Sequence, residues 1–148
     1  MKKINSMALL RAESLIAAGE KDDCTVYAVA TAFDLDYDAA HKEVAERMKR
    51  QEGEGVSRKN VLEALEEGTV LNGKTVTRVI KSPKKTYKVY GNTIPRQVRL
   101  SSFVKENPEG TYVILTRGHA LTLKNGVLLD NRKQTKDRAL VSVAIKVD

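Results

Sequence analysis

Apolar positions in the first half of the chain recur every three or four residues, and in the second half every two. The first pattern predicts helices and the second predicts strands. Asn5 or Ser6 is placed to cap a first helix running through Met7, Leu10, Ser14 and Ile16 to a stop at Gly19. After a short polar connection, Asp22 or Asp23 is placed to cap a second helix that opens at Cys24. Val26, Val29, Ala30 and Phe33 form one stripe of it, and Tyr27, Ala28 and Ala32 fill most of the remaining circumference, which predicts a buried helix. Asp34-Leu35-Asp36 breaks it and caps a third helix. There Tyr37, Ala40, Val44 and Met48 face inward and Glu43, Glu46, Lys49 and Arg50 face solvent. Residues 51–55 form a loop, and Ser57 caps a fourth helix carrying Val61, Leu62 and Leu65, ended by Gly68.

Beyond Gly68 the alternation of Val, Ile, Thr and Tyr predicts strands at 75–81 and 86–90, separated by Ser82-Pro83. Residues 91–100 carry no clear period. Ser101 or Ser102 is placed to cap a short helix through Phe103 and Val104, and residues 107–110 form a turn. Strands follow at 111–116, 119–124, 127–130 and 140–147, with Asn125-Gly126 as a tight hairpin turn. Helices followed by an antiparallel sheet give an α+β fold. With no linker or repeat, the pattern predicts one domain over 1–148, helical to about residue 68 and sheet from about residue 69.

The chain's only cysteine opens the buried helix. Unpaired N–H groups and the helix dipole at that position favour an anion, so a thiol there loses its proton more readily than its usual pKa of about 8.5 implies. His119 opens the hairpin after Gly118, which removes side-chain bulk at the entrance. The two-residue turn pairs Lys124 with Val127 and Leu123 with Leu128, and carried on it pairs Leu121 with Asp130 and Ala120 with Asn131. Alternation then sets His119, Leu121, Leu128 and Asp130 on one face. Asp130 lies diagonal to His119, within reach of one imidazole nitrogen, and the other nitrogen is left for Cys24. Such a Cys-His-Asp set lets the imidazole take the thiol proton and later protonate a leaving group, while the carboxylate orients the ring. A one-residue bulge would put Asn131 in place of Asp130. His41 shares the stripe of Tyr37 and Val44 and reads as a histidine at the edge of the core.

Composition narrows the alternatives. Of 148 residues, 41% are hydrophobic and 30% charged, as in a soluble globular protein. One cysteine excludes an internal disulfide, and with only two histidines no metal or other cofactor is expected. Arg11 and Glu13 interrupt the first apolar run, so no signal peptide or membrane span is expected and a cytoplasmic place is. The net charge of +7 is uneven: from Gly68 to Lys105 there are nine Lys and Arg and no Asp or Glu. Lys84, Lys85 and Lys88, interleaved with Tyr87 and Tyr90, offer a second reading, an interaction protein that binds nucleic acid or an acidic host protein. In an alternating strand the two tyrosines are expected to face the core.

The stretch from Asp23 through Cys24 to Ala30, Tyr37 with Ala40-His41, and Gly118-His119-Ala120 with Gly126 and Asp130-Asn131 resembles the papain-like cysteine peptidases, particularly small members from phages and bacteria. The resemblance spans about a third of the chain, in two blocks at opposite ends. It implies a central helix carrying the nucleophile packed on an antiparallel sheet. It also implies hydrolysis of peptide or isopeptide bonds in a protein substrate through a thioester, with Cys24, His119 and Asp130 in the three roles and, for a phage protein, the host cytoplasm as the setting. Related peptidases commonly place an oxyanion-hole Gln about six residues before the cysteine, where this chain has Ala18. Asp22 and Asp23 also bring negative charge to that place.

Overall fold

A computed structural model describes residues 2–4, 14, 16, 20–131 and 138–148. In chain order the described elements are β1 (Lys2–Ile4), α1 (Cys24–Ala32), α2 (Tyr37–Met48), α3 (Arg58–Ala64), β2 (Val70–Leu71), β3 (Lys74–Lys81), β4 (Lys84–Val89), β5 (Asn92–Gln97), α4 (Leu100–Glu106), β6 (Thr111–Thr116), β7 (His119–Lys124), β8 (Val127–Leu129) and β9 (Val143–Val147). The fold is α+β. Seven strands form one sheet in the order β1-β8-β7-β6-β9-β3-β2, antiparallel except for β1 beside β8, and β4 and β5 form a separate two-stranded hairpin.

The sheet divides the apolar side chains by the alternation of its strands. Val113 and Leu115 of β6, Ala120 of β7 and Val143, Ile145 and Val147 of β9 pack with α1, α2 and α3 on one face. Tyr112 and Ile114, Leu121 and Leu123, Leu128 and Ala144 pack with α4 on the other. α1 is the most enclosed helix: Val26, Tyr27 and Ala28 have no exposed surface. Each large apolar side chain buried there contributes about 2 kcal/mol. Its polar side is tied to β7, where the buried Thr122 hydroxyl donates to the Ala28 carbonyl (2.9 Å) and accepts from the Thr31 hydroxyl (2.8 Å). The helix stops where Asp34 turns to a φ of +54°, and the Asn72 amide takes up the Phe33 carbonyl at 2.7 Å.

Several local expectations change. Asp36 does cap α2, accepting from Ala39 N–H at 2.7 Å, and Ser57 caps α3 at 3.2 Å. Asp23 occupies the N-cap of α1 without capping it through its side chain. α4 begins at Leu100, so Ser101 and Ser102 lie inside it rather than at its cap. Arg50 is buried, not solvated, because its guanidinium meets Glu20. Residues 92–97 form β5, hidden in the sequence by Pro95 and the polar residues around it. The β2–β3 hairpin turns on Asn72-Gly73, both at positive φ, the same signal as Asn125-Gly126. The last strand is shorter than 140–147, with Leu140 in an isolated bridge to Arg99. The expected first helix lies largely outside the described residues.

Candidate active site

Cys24 is the first residue of α1. The first helical hydrogen bond runs from Tyr27 N–H to the Asp23 carbonyl (3.0 Å), so the N–H groups of Cys24, Thr25 and Val26 have no acceptor within the helix. The Asp23 carboxylate does not take them; it accepts from the buried Tyr37 hydroxyl at 2.6 Å. Asp22, at a φ of +52°, turns the chain sharply into the helix and leaves its own side chain exposed. The preceding residue group is anchored by Glu20, whose carboxylate accepts from Gly53 N–H (2.9 Å), His41 Nε2 (2.8 Å) and Arg50 Nη1. Arg50 Nη2 also donates to the Lys21 carbonyl at 3.0 Å. Burial would raise the Glu20 carboxyl, but these hydrogen bonds and the Arg50 charge hold it below its ordinary value. His41 therefore sits at the core edge as a partner of Glu20, part of the clamp that fixes the entry to Cys24.

His119 opens β7 after the two-residue turn Arg117-Gly118, across from Thr116. Nothing crowds the place where a Gly118 side chain would start; the glycine is needed for its φ of +70°. In the β7–β8 hairpin Lys124 pairs with Val127, Leu123 with Leu128 and Thr122 with Leu129, and the ladder ends there. That early end decides the geometry. Alternation puts His119 and Ala120 on opposite faces, yet with no β8 residue paired beside them the sheet is open at this corner. The start of α1 and the start of β7 meet through the opening.

Three groups converge there. His119 Nε2 is 2.7 Å from Asp130 Oδ1, in a pair with 5% and no exposed side-chain surface respectively. His119 is also hydrogen-bonded to Cys24. The Cys24 sulfur accepts further bonds from Ala120 N–H, which points to the side where β8 has ended, and from Thr25. Burial acts to raise the thiol, but the His119, Ala120 and Thr25 bonds outweigh it and the Cys24 pKa lies below its ordinary value. Burial likewise acts to lower His119, and the Asp130 carboxylate and Cys24 sulfur raise it above its ordinary value. The pair is poised toward thiolate and imidazolium.

Protein-family models, curated proteins and solved structures contain no match to this chain.

The thiol is reached from open space on more than one side. A groove of about 540 Å3 runs from Cys24 and His119 along Gly55, Val56 and Arg58. A smaller recess of about 290 Å3 lies between Cys24, Asp22, Gly55 and Asn131. A third lobe, about 600 Å3, begins at His119 and Asp130 and is walled by Arg58, Arg117, Ser82 and Gln97.

Not every expected site residue joins this cluster. Asn131 lines the recess, but its Oδ1 is buried with no partner among the described residues, and it is Asp130 that holds the imidazole. Ala18 lies outside the described residues. Lys84, Lys85 and Lys88 lie exposed on β4, away from the cleft, with Lys85 paired to Glu106 at 2.9 Å. Tyr87 and Tyr90 do not face the core; they are 39% and 100% exposed, because among the described residues β4 pairs only with β5. Among the described residues no cluster of three or more His, Cys, Asp or Glu could hold a metal ion, and no described helix is long and apolar enough to cross a membrane. Sequence reasoning missed Arg58, Arg117 and the Ala120 N–H. Arg58 directly follows the cap Ser57 and Arg117 precedes Gly118, so both flank residues that do carry a signal.

Proposed function

We propose that the chain is a papain-like thiol hydrolase that cleaves amide bonds in a protein or peptide substrate through Cys24, His119 and Asp130. The observation that supports this most is a single imidazole held by a buried carboxylate on one nitrogen while it hydrogen-bonds the only thiol of the chain. The thiolate adds to the substrate carbonyl carbon. Oxygen takes up the displaced electron pair, and the N–H groups at the uncapped start of α1 are the donors closest in the chain to where it develops. His119, carrying the former thiol proton, gives it to the leaving amine as the C–N bond breaks and a thioester forms on Cys24. Water then gives a proton to His119 and its oxygen to the acyl carbon, the C–S bond breaks, and the acid leaves. Asp130 keeps the ring oriented through both proton transfers. Asp23, turned to Tyr37, keeps its charge from the helix N–H groups.

Incubation with a peptide library derived from a cell extract, followed by mass spectrometry of new termini, tests the reading. The expected result is a set of cleavages lost in Cys24→Ala, with an acyl adduct on Cys24 after acid quench. No cleavage and no adduct with folded protein would reject it.

The exposed β4–β5 hairpin favours a second reading, in which the chain binds nucleic acid or an acidic protein without catalysis. Lys84, Lys85 and Lys88 would contact phosphates and Tyr87 or Tyr90 would stack on bases. It calls for salt-sensitive retardation of an oligonucleotide that survives Cys24→Ala and is lost when the three lysines are replaced by Gln.

A further inference from the structure

The lobe beside His119 has an unbalanced charge. Arg58 and Arg117 both line it, and neither forms an ion pair among the described residues. Among the described residues Arg58 makes a single hydrogen bond, from Nη2 to the Ser142 hydroxyl at 3.4 Å, which leaves most of its five N–H donors for a ligand. Among the described residues the one carboxylate in the lining is Asp130, fully buried and engaged by His119. Leu100, Leu121 and Leu140 add apolar wall, suited to a methylene stem, and Ser82 and Gln97 place the base of the β4–β5 hairpin at the rim. The hairpin and its flanks then continue the positive field outward, since no Asp or Glu occurs between Gly68 and Lys105.

We infer that this lobe is a specificity pocket for a carboxylate of the substrate, bound by Arg58 and Arg117 beside His119. The inference rests on the hydrolase reading above and adds the substrate class, an acidic peptide. A planar guanidinium matches a carboxylate in two parallel hydrogen bonds, and two arginines with no competing acid among the described residues select against neutral and basic residues. A nucleic acid is disfavoured at this lobe because no Phe, Tyr or Trp lines it to stack on a base. The carboxylate has two sources: an Asp or Glu side chain, or the C-terminus of the substrate.

The test uses octapeptides built on a cleaved sequence, with Glu and Gln exchanged at each position in turn and each peptide made with a free and an amidated C-terminus. At one position the wild-type chain is expected to cleave the Glu peptide about tenfold faster than the Gln peptide, the scale of one charge-assisted pair at a partly exposed site. If the pocket holds the chain end, the tenfold loss instead follows amidation. In the Arg58→Gln, Arg117→Gln double variant the ratio falls to near one, and in Arg58→Glu the preference shifts toward a Lys peptide. Both arginines are exposed, so the replacements spare the core. Ratios near one throughout in the wild type, or a preference that persists in the double variant, would overturn the pocket while cleavage itself upheld the hydrolase. Absence of any cleavage or acyl adduct would remove the hydrolase reading and this inference together.

Discussion

Residues 119–129 and 84–97 are both antiparallel hairpins, the first rich in Leu and the second in Lys with Thr and Tyr, and they end in opposite environments. Every residue from His119 to Leu123 is buried, whereas β4 and β5 show no buried residue at all. The difference lies in what surrounds each strand. β7 has β6 on one side and β8 on the other, α1 on one face and the α4 core on the other. β4 has only β5. One hairpin, packed on α1, can therefore help hold a thiol, an imidazole and a carboxylate in fixed relation, at the cost of burying them; the other leaves Lys84, Lys88, Tyr87 and Tyr90 exposed to solution. Fixed chemistry and open charge are separated in the fold, and the Arg58–Arg117 lobe lies where they adjoin.

Perturbing the buried side should cost the fold dearly. Glu20→Ala removes the hub that joins His41, Arg50 and the Gly53 N–H before Cys24, leaving a buried arginine without its charge partner, and is expected to lower unfolding free energy by about 3 kcal/mol in urea titrations. The same group sets an acid limit. Its folded pKa lies below the unfolded 4.5, so its contribution is complete above 4.5 and is lost as pH falls through the folded value; Glu20→Gln should lose less stability than wild type over that fall. A smaller effect is expected from Asp130→Asn, which keeps a hydrogen-bond acceptor for His119 but removes the charge that raises it. If the proposed cleavage occurs, the alkaline limb of its pH profile should then move to lower pH, with a loss of rate above neutrality. The exposed hairpin should be the least sensitive. Replacing Lys84, Lys85 and Lys88 together by Gln is expected to change unfolding free energy by less than about 0.5 kcal/mol, leaving thiol reactivity as it was. A change in thiol alkylation in that variant would mean the two regions are coupled.

The sequence pattern contained much of this. The buried helix was legible because apolar residues cover it all round, and the β7–β8 register near the turn because Asn125-Gly126 favours a two-residue hairpin, although the expected Leu121–Asp130 and Ala120–Asn131 pairs do not form. Three things could not be read from it. Tyr87 and Tyr90 alternate as core residues do, and nothing within the strand says that its sheet has only two members. Arg50 falls on the polar side of its helix, and only the long-range partner Glu20 explains its burial. The Cys24–His119 pair was expected, but not its setting: strand alternation sets the histidine on the face away from α1, and β8 ends at Leu129 instead of running to Asp130. Side-chain periodicity records the face a residue points to, and a ladder's end depends on neighbours distant in the chain.

The pH dependence of Cys24 alkylation by iodoacetamide, a small neutral reagent, measured in the wild type and in His119→Ala, addresses the coupling between thiol and imidazole with no assumption about substrate. The expected wild-type curve has its midpoint below the ordinary thiol value of about 8.5, and the expected variant curve lies at or above it, because burial remains when the imidazole is gone. Superimposable curves for the two proteins would contradict the Cys24–His119 pair.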